Sequence, residues 1–166
     1  MGEEAEFQRS PTVRFQRRLP GPVDRIWSLI SDPARLPAWF APGSVIEPRE
    51  GGAVSLNGGH ICGVVTQWKP ERRLTHTWNV FSPGVAESPY PESYLTLELE
   101  PAGDGVALIL THLPVLERFE KQNAMGWHTF LDILSATARG EEPLERGVYM
   151  KRNAERYGID LANLTR

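Results

Sequence analysis

One long segment of helical period follows a series of short alternating segments, and that order constrains the fold more than any other feature of the chain. Leu116–Ala138, LERFEKQNAMGWHTFLDILSATA, reads as a single helix. Far upstream, Leu19–Phe40, LPGPVDRIWSLISDPARLPAWF, places two short helices after an N-terminal strand and before a run of antiparallel strands. A sheet with one apolar face and a helix with one apolar stripe each need cover, and here each covers the other. A sheet wrapped around one helix tends to enclose a cavity.

The strands follow from alternation. Val13–Arg18 is the first, with Val13 and Phe15 pointing one way, and Pro20-Gly21-Pro22 ends it. Pro22 suits the first turn of a helix, where its missing N–H costs nothing. Val23, Ile26, Trp27 and Ile30 then form one apolar stripe. Ser31 or Asp32 caps a second short helix from Pro33, carrying Leu36, Trp39 and Phe40 and stopped by Pro42-Gly43. Val45–Pro48 and Ala53–Asn57 flank the tight turn Glu50-Gly51-Gly52. Ile61–Lys69 and Arg72–Val80 flank Pro70-Glu71, and Phe81–Glu92 reads as a long loop. Ser93–Glu100 and Val106–Leu113 form the last hairpin, in which Leu95, Leu97 and Leu99 alternate with Thr96 and Glu98. Leu108 and Leu110 share a face with His112.

On the long helix, Phe119, Asn123, Gly126-Trp127, Phe130, Ile133-Leu134 and Thr137 mark the stripe that faces the sheet. After Gly140 a further helix runs from about Leu144 to Tyr157, with Gly158 as its stop. The expected organisation is a flexible N-terminus over 1–10, a domain over 11–140, and a C-terminal helical extension over 141–166. The extension packs back on its own domain, with a homodimer as the rival arrangement.

Bulk properties remove several function classes. A formal charge of −3 leaves no positive excess to hold a phosphate backbone, so nucleic acid is not expected as a partner. No apolar run approaches the ~20 residues of a membrane span, so no membrane insertion is expected. MGEEAEFQRS is acidic and has no signal-type apolar stretch, and Cys62 is the single cysteine. Both point to the reducing cytoplasm.

Four motifs in order carry a resemblance. They are LPGPVDRIWSLISDPARLPAWFAP, Gly63-Val64-Val65 through Arg73-Leu74-Thr75-His76-Thr77-Trp78, Leu95–Glu100 with Leu110-Thr111-His112, and Gly126-Trp127. Over roughly residues 13–138 the chain resembles the bacterial activator-of-heat-shock-chaperone-ATPase-like (AHSA-type) proteins. The resemblance implies an α+β helix-grip (START-like, SRPBCC) fold. That fold is a curved antiparallel sheet of about seven strands around a long C-terminal helix, with two short helices after the first strand. Members of that superfamily bind lipids, sterols, polyketides or other apolar molecules between sheet and helix. Some are cyclases, and eukaryotic relatives stimulate a chaperone ATPase. Two departures stand out: His76 occupies a position usually aromatic, and the segment after Gly140 lies outside the core domain.

Strand parity puts Val54, Leu56, Leu74, His76, Trp78, Leu95, Leu97, Leu99, Leu108, Leu110 and His112 on the concave face. Trp127, Phe130 and Leu134 face them, with Trp39 and Phe40 near the entrance. The expected binding residues are therefore Trp39, Phe40, Val54, Leu56, His76, Trp78, Leu97, Leu110, His112, Trp127, Phe130 and Leu134. An apolar wall with a few polar groups suits a small, mostly apolar molecule, held by burial at roughly 25 cal/mol per Å² and hence with loose selectivity. The same residues would equally serve as a filled core.

His76 and His112 are ionisable groups on apolar strands, able to anchor a ligand oxygen or to serve as acid–base groups in a cyclase or hydrolase. No carboxylate or nucleophile is paired with either in the sequence, so binding is favoured over catalysis. A chaperone-activator-like interaction is a third reading, ranked last because those activators use regions this chain lacks. His60 and Cys62 share a strand face but have no second pair to complete a zinc site, so neither a metal nor a cofactor is expected. His128 and Asp132, one helical turn apart, read as a surface pair. Gly126, costly in mid-helix, implies close packing against the sheet or room for a ligand beside Trp127.

Overall fold

The structure is a computed structural model describing residues 2–81 and 84–166. Met1 of the expected flexible N-terminus, and Ser82 and Pro83 of the expected loop, lie outside the described residues. Seven antiparallel strands form one sheet in the order β1-β7-β6-β5-β4-β3-β2. They are β1 (Val13–Pro20), β2 (Val45–Ile46), β3 (Ala53–Leu56), β4 (Ile61–Lys69), β5 (Arg73–Val80), β6 (Ser93–Ala102) and β7 (Gly105–Leu113). Three α-helices accompany them: α1 (Val23–Ser31), α2 (Glu120–Ala138) and α3 (Arg146–Tyr157). This is the helix-grip α+β architecture expected of the sequence.

Alternation sets the register. Leu95, Leu97 and Leu99 stand opposite His112, Leu110 and Leu108, and all six are buried. On the other face Thr96 and Glu98 stay partly exposed, and Arg73 Nε donates to Glu98 at 3.0 Å. A bulge between Val65 and Gln67 interrupts the β4–β5 pairing and bends the sheet there. Beside it, a Cβ on Gly63 would sit 2.0 Å from the Thr77 carbonyl oxygen, so only glycine permits the approach.

Three elements differ from expectation. The second short helix is a turn followed by a three-residue 3₁₀ segment, Leu36–Ala38. Asp32 accepts the Ala34 N–H at 2.9 Å and so closes the turn, not the 3₁₀ segment, which has no side-chain cap; Pro37 would collide with the Pro33 carbonyl in an α-helix and offers no N–H. Trp39 still anchors the segment by donating to the Leu29 carbonyl at 2.7 Å. The strand expected over Val45–Pro48 shrinks to two residues. The long helix begins at Glu120, behind a 3₁₀ turn over Glu117–Phe119.

The α2 helix does not carry a single stripe. Phe119, Asn123, Phe130 and Thr137 are only partly buried, whereas Met125, Thr129, Leu131, Ala136 and Ala138 are buried. The cause is α3, which covers the side of α2 away from the sheet. Asn153 donates to Thr129 Oγ1 at 3.3 Å and to Asp132 at 3.0 Å. Arg146 donates to the Phe40 carbonyl. The extension thus packs back on its own chain, and Gly158 ends α3 in the left-handed conformation at φ 67°.

The expected surface pair on α2 is a half-buried junction between β1, α2 and α3 instead. The His128 ring meets Phe15 edge-on at 5.4 Å, and its Nδ1 bonds the Tyr157 hydroxyl at 2.8 Å. Asp132 lies 3.7 Å from Nε2. Burial lowers the His128 pKa first; Asp132 opposes this, and Arg17 and Arg156 add to it. Gly126 is a further correction: a Cβ there would meet nothing within 4 Å, so close packing does not explain it.

Candidate functional site

A cavity of about 580 Å³ opens at one end of the grip, where β5 ends, β6 begins and β7 runs toward α2. The register brings these termini together, because Trp78 stands opposite Ser93 and His112 opposite Leu95. Trp78, Val80, Tyr90, Val115, Leu116 and Phe119 supply apolar wall, and His60, Ser93, His112, Gln122 and Asn123 supply polar groups. Tyr90 meets Phe119 edge-on at 5.3 Å and closes one side. Thr165 and Arg166 complete the rim, where Gln122 exchanges two hydrogen bonds with the Thr165 backbone at 3.0 and 3.2 Å.

His112 forms the polar floor, and its tautomer follows from its partners. Trp127 Nε1–H lies 3.0 Å from Nδ1, and an indole N–H can only donate. Nδ1 is therefore the unprotonated nitrogen. Asn123 presents its amide N–H to the same atom at 3.1 Å. The ring proton sits on Nε2 and is donated to Ser93 Oγ at 2.8 Å, which passes its own proton to the Trp78 carbonyl at 3.4 Å. Protonating Nδ1 would point N–H at N–H. Burial is the largest cause holding the His112 pKa down to about 4, with His76 lowering it further and the Asn123 bond opposing.

His76 is buried and neutral for a related reason. Its Nδ1 bonds the Thr77 carbonyl at 2.8 Å, and burial lowers its pKa to about 4 against that bond. Its ring is stacked behind Trp78 at 6.1 Å, and it does not line the cavity.

Of the twelve binding residues expected from the sequence, Trp78 and His112 line the cavity. Phe40, Trp127 and Phe130 join Trp78 in an aromatic cluster beside it. Phe40 stacks on Phe130 at 4.3 Å, and Trp127 lies 5.2 Å from Trp78 and 5.9 Å from Phe40. Trp39, Val54, Leu56, Leu97, Leu110 and Leu134 are buried in the core and lie outside the lining. The middle of the grip is filled, and the hollow lies toward one end.

Ser93, Tyr90, Asn123 and Phe119 line the cavity but were not among the expected binding residues, although Asn123 and Phe119 were placed on the sheet-facing stripe. Two of them were within reach: Ser93 is two residues before Leu95 on the same strand face, and Asn123 is one helical turn before Trp127. His60 lines the cavity, and Cys62 Sγ bonds the Gly59 carbonyl at 3.4 Å. Among the described residues no three His, Cys, Asp or Glu side chains gather as a metal site. No helix among them is long and apolar enough to cross a membrane.

The family model described as activator of Hsp90 ATPase homolog 1-like protein matches residues 20–139. The chain belongs to this family. No curated protein matches it by sequence. Among solved structures, the crystal structure of CalU16 from Micromonospora echinospora is 31% identical at a TM-score of 0.68, over 89% of this chain and 86% of CalU16. The solution structure of CalU16 is 29% identical at 0.70, over 89% and 85%. The solution structure of the Aha1 dimer from Colwellia psychrerythraea is 16% identical at 0.63, over 77% and 96%, and shares the fold. Residues matched by the activator of Hsp90 ATPase homolog 1-like family stop at 139, so α3 lies beyond them.

Proposed function

We propose that this member of the family binds a small, mostly apolar molecule in the cavity at the open end of the grip. The observation that carries the reading is a hollow of about 580 Å³ with aromatic and aliphatic walls over a polar floor at His112 and Ser93. That size falls within the roughly 300–1,000 Å³ of small-molecule pockets. Trp78, Tyr90 and Phe119 offer flat apolar area, and Ser93, Gln122 and Asn123 sit where a single polar substituent would be oriented.

Binding is favoured over cyclase or hydrolase chemistry by the state of the two histidines. His112 gives its one N–H to Ser93 and its one lone pair to Trp127 and Asn123. Neither is free to move a substrate proton. His76 is bonded to backbone and separated from the cavity by Trp78.

Nile red, a neutral apolar fluorophore, tests the reading. Saturable one-to-one uptake by the wild-type chain, weakened in Val80→Trp with unchanged folding, is the expected result. Absence of saturable uptake, or equal affinity in the variant, would overturn it. Native mass spectrometry of freshly purified protein adds a direct view of any co-purifying molecule.

A further inference from the structure

We propose that a second cleft, between β1, α2 and α3, binds a small molecule bearing a multiply charged phosphate group. The cleft encloses about 550 Å³ and shares no lining residue with the apolar cavity. Arg17 and Arg18 from β1, Arg139 just past the end of α2, and Arg152 and Arg156 from α3 converge on it, against the single carboxylate of Asp132. The chain as a whole carries a formal charge of −3, so this concentration of cations is local and not a bulk property.

The existing counter-charges leave part of that field unbalanced. Asp132 is already engaged by Arg17 at 3.4 Å, Asn153 at 3.0 Å and His128 at 3.7 Å. Arg18 pairs with Asp104 and Arg139 with Glu141, but these pairs are largely exposed and contribute little. Arg152 and Arg156 have no ion pair or side-chain hydrogen bond among the described residues. They lie one helical turn apart, where like charges repel. Arg17 Nε is buried with no hydrogen-bond partner. An anion in the cleft would relieve each of these conditions.

The chemistry of the lining selects the kind of anion. Guanidinium forks match phosphate oxygens in bidentate geometry and keep their charge throughout the working pH range. Gln16 and Ser135 add hydrogen-bonding groups, and Tyr149 is the one aromatic ring, so the occupant is polar over most of its surface. Arginines spaced along α3 and across to β1 suit consecutive phosphoryl groups better than a single monovalent ion. Arg152 and Arg156 lie beyond the residues matched by the family model, so the cleft is built partly from this chain's own extension.

Titration calorimetry of the full chain with inorganic pyrophosphate, at constant ionic strength and beside sulfate, tests the proposal. Saturable one-to-one binding of pyrophosphate is expected, tighter than that of sulfate. Removing two charge-assisted contacts in Arg152→Gln/Arg156→Gln should weaken it roughly tenfold or more. Ser135→Glu, which places a carboxylate in the cleft, should weaken it as well. Arg49→Gln, on the β2–β3 turn, should leave it unchanged. No saturable binding, equal binding by the double variant, or an equal loss in Arg49→Gln would overturn the proposal. So would co-sedimentation with phosphatidylglycerol vesicles in the absence of pyrophosphate binding, which would assign the field to a lipid surface. Nile red uptake should be the same in all these variants, which keeps the two sites separable.

Discussion

His112 is held by three side chains, and each removes an option from the imidazole. Trp127 and Asn123 occupy Nδ1, and Ser93 receives the Nε2 proton, so the ring is neutral by geometry as well as by burial. With His76 it gives stability a pH dependence of definite sign. Both rings have pKa values near 4 in the folded chain, caused first by burial, against 6.5 for the free side chain. Between those values the unfolded chain takes up protons that the native chain refuses. Stability therefore falls as pH falls from about 6.5 toward 4, by on the order of a few kcal/mol per histidine. Urea unfolding at pH 7.5 and 5.0 checks the direction, and His76→Leu should remove part of the slope. Gly126 offers a prediction of opposite sign. A Cβ there meets nothing within 4 Å, so Gly126→Ala should stabilise the chain by up to about 1 kcal/mol, read as a raised urea midpoint.

Helix α2 shows how one element can serve two layers. Trp127, Leu131, Leu134 and Ala138 join the core beneath the sheet, while Thr129 and Asp132 meet Asn153 of α3. Asn153 is 1% exposed and donates to both partners, so Asn153→Ala leaves the buried Thr129 hydroxyl and the half-buried Asp132 carboxylate each short of a donor. A loss of about 1–3 kcal/mol is expected, measured by chemical denaturation. The strands were legible from alternation because β6 buries alternate residues from Ser93 to Leu99, and β7 departs from that period where Ile109 is buried as well. The sheet-facing stripe of α2 was less legible, since burial on a second side spreads apolar and small residues around the helix. The 3₁₀ segment was missed through Pro37, whose steric conflict outweighed the helical spacing of Leu36, Trp39 and Phe40.

Across the whole molecule, stability should be graded from the middle of the sheet outward. Strands β5, β6 and β7 are each paired on both sides, whereas β2 is a two-residue edge strand. Hydrogen exchange should accordingly be slowest at Leu74, Leu97 and Leu110 and fastest in β2 and the residues before β1; uniform protection across the sheet would contradict this. The order of elements, the concave face and the place of both histidines on it were properties of the sequence by itself, because they depend on local period and on which face each residue takes. Tertiary structure alone decided where the grip stays hollow and which arginines gather at a cleft. Both depend on distances between segments far apart in the chain: Phe40, Trp127 and Phe130 pack against Trp78 beside the cavity, and α3 folds back to set its cations beside those of β1. Periodicity names the face a side chain takes, but only packing determines how much room is left in front of it.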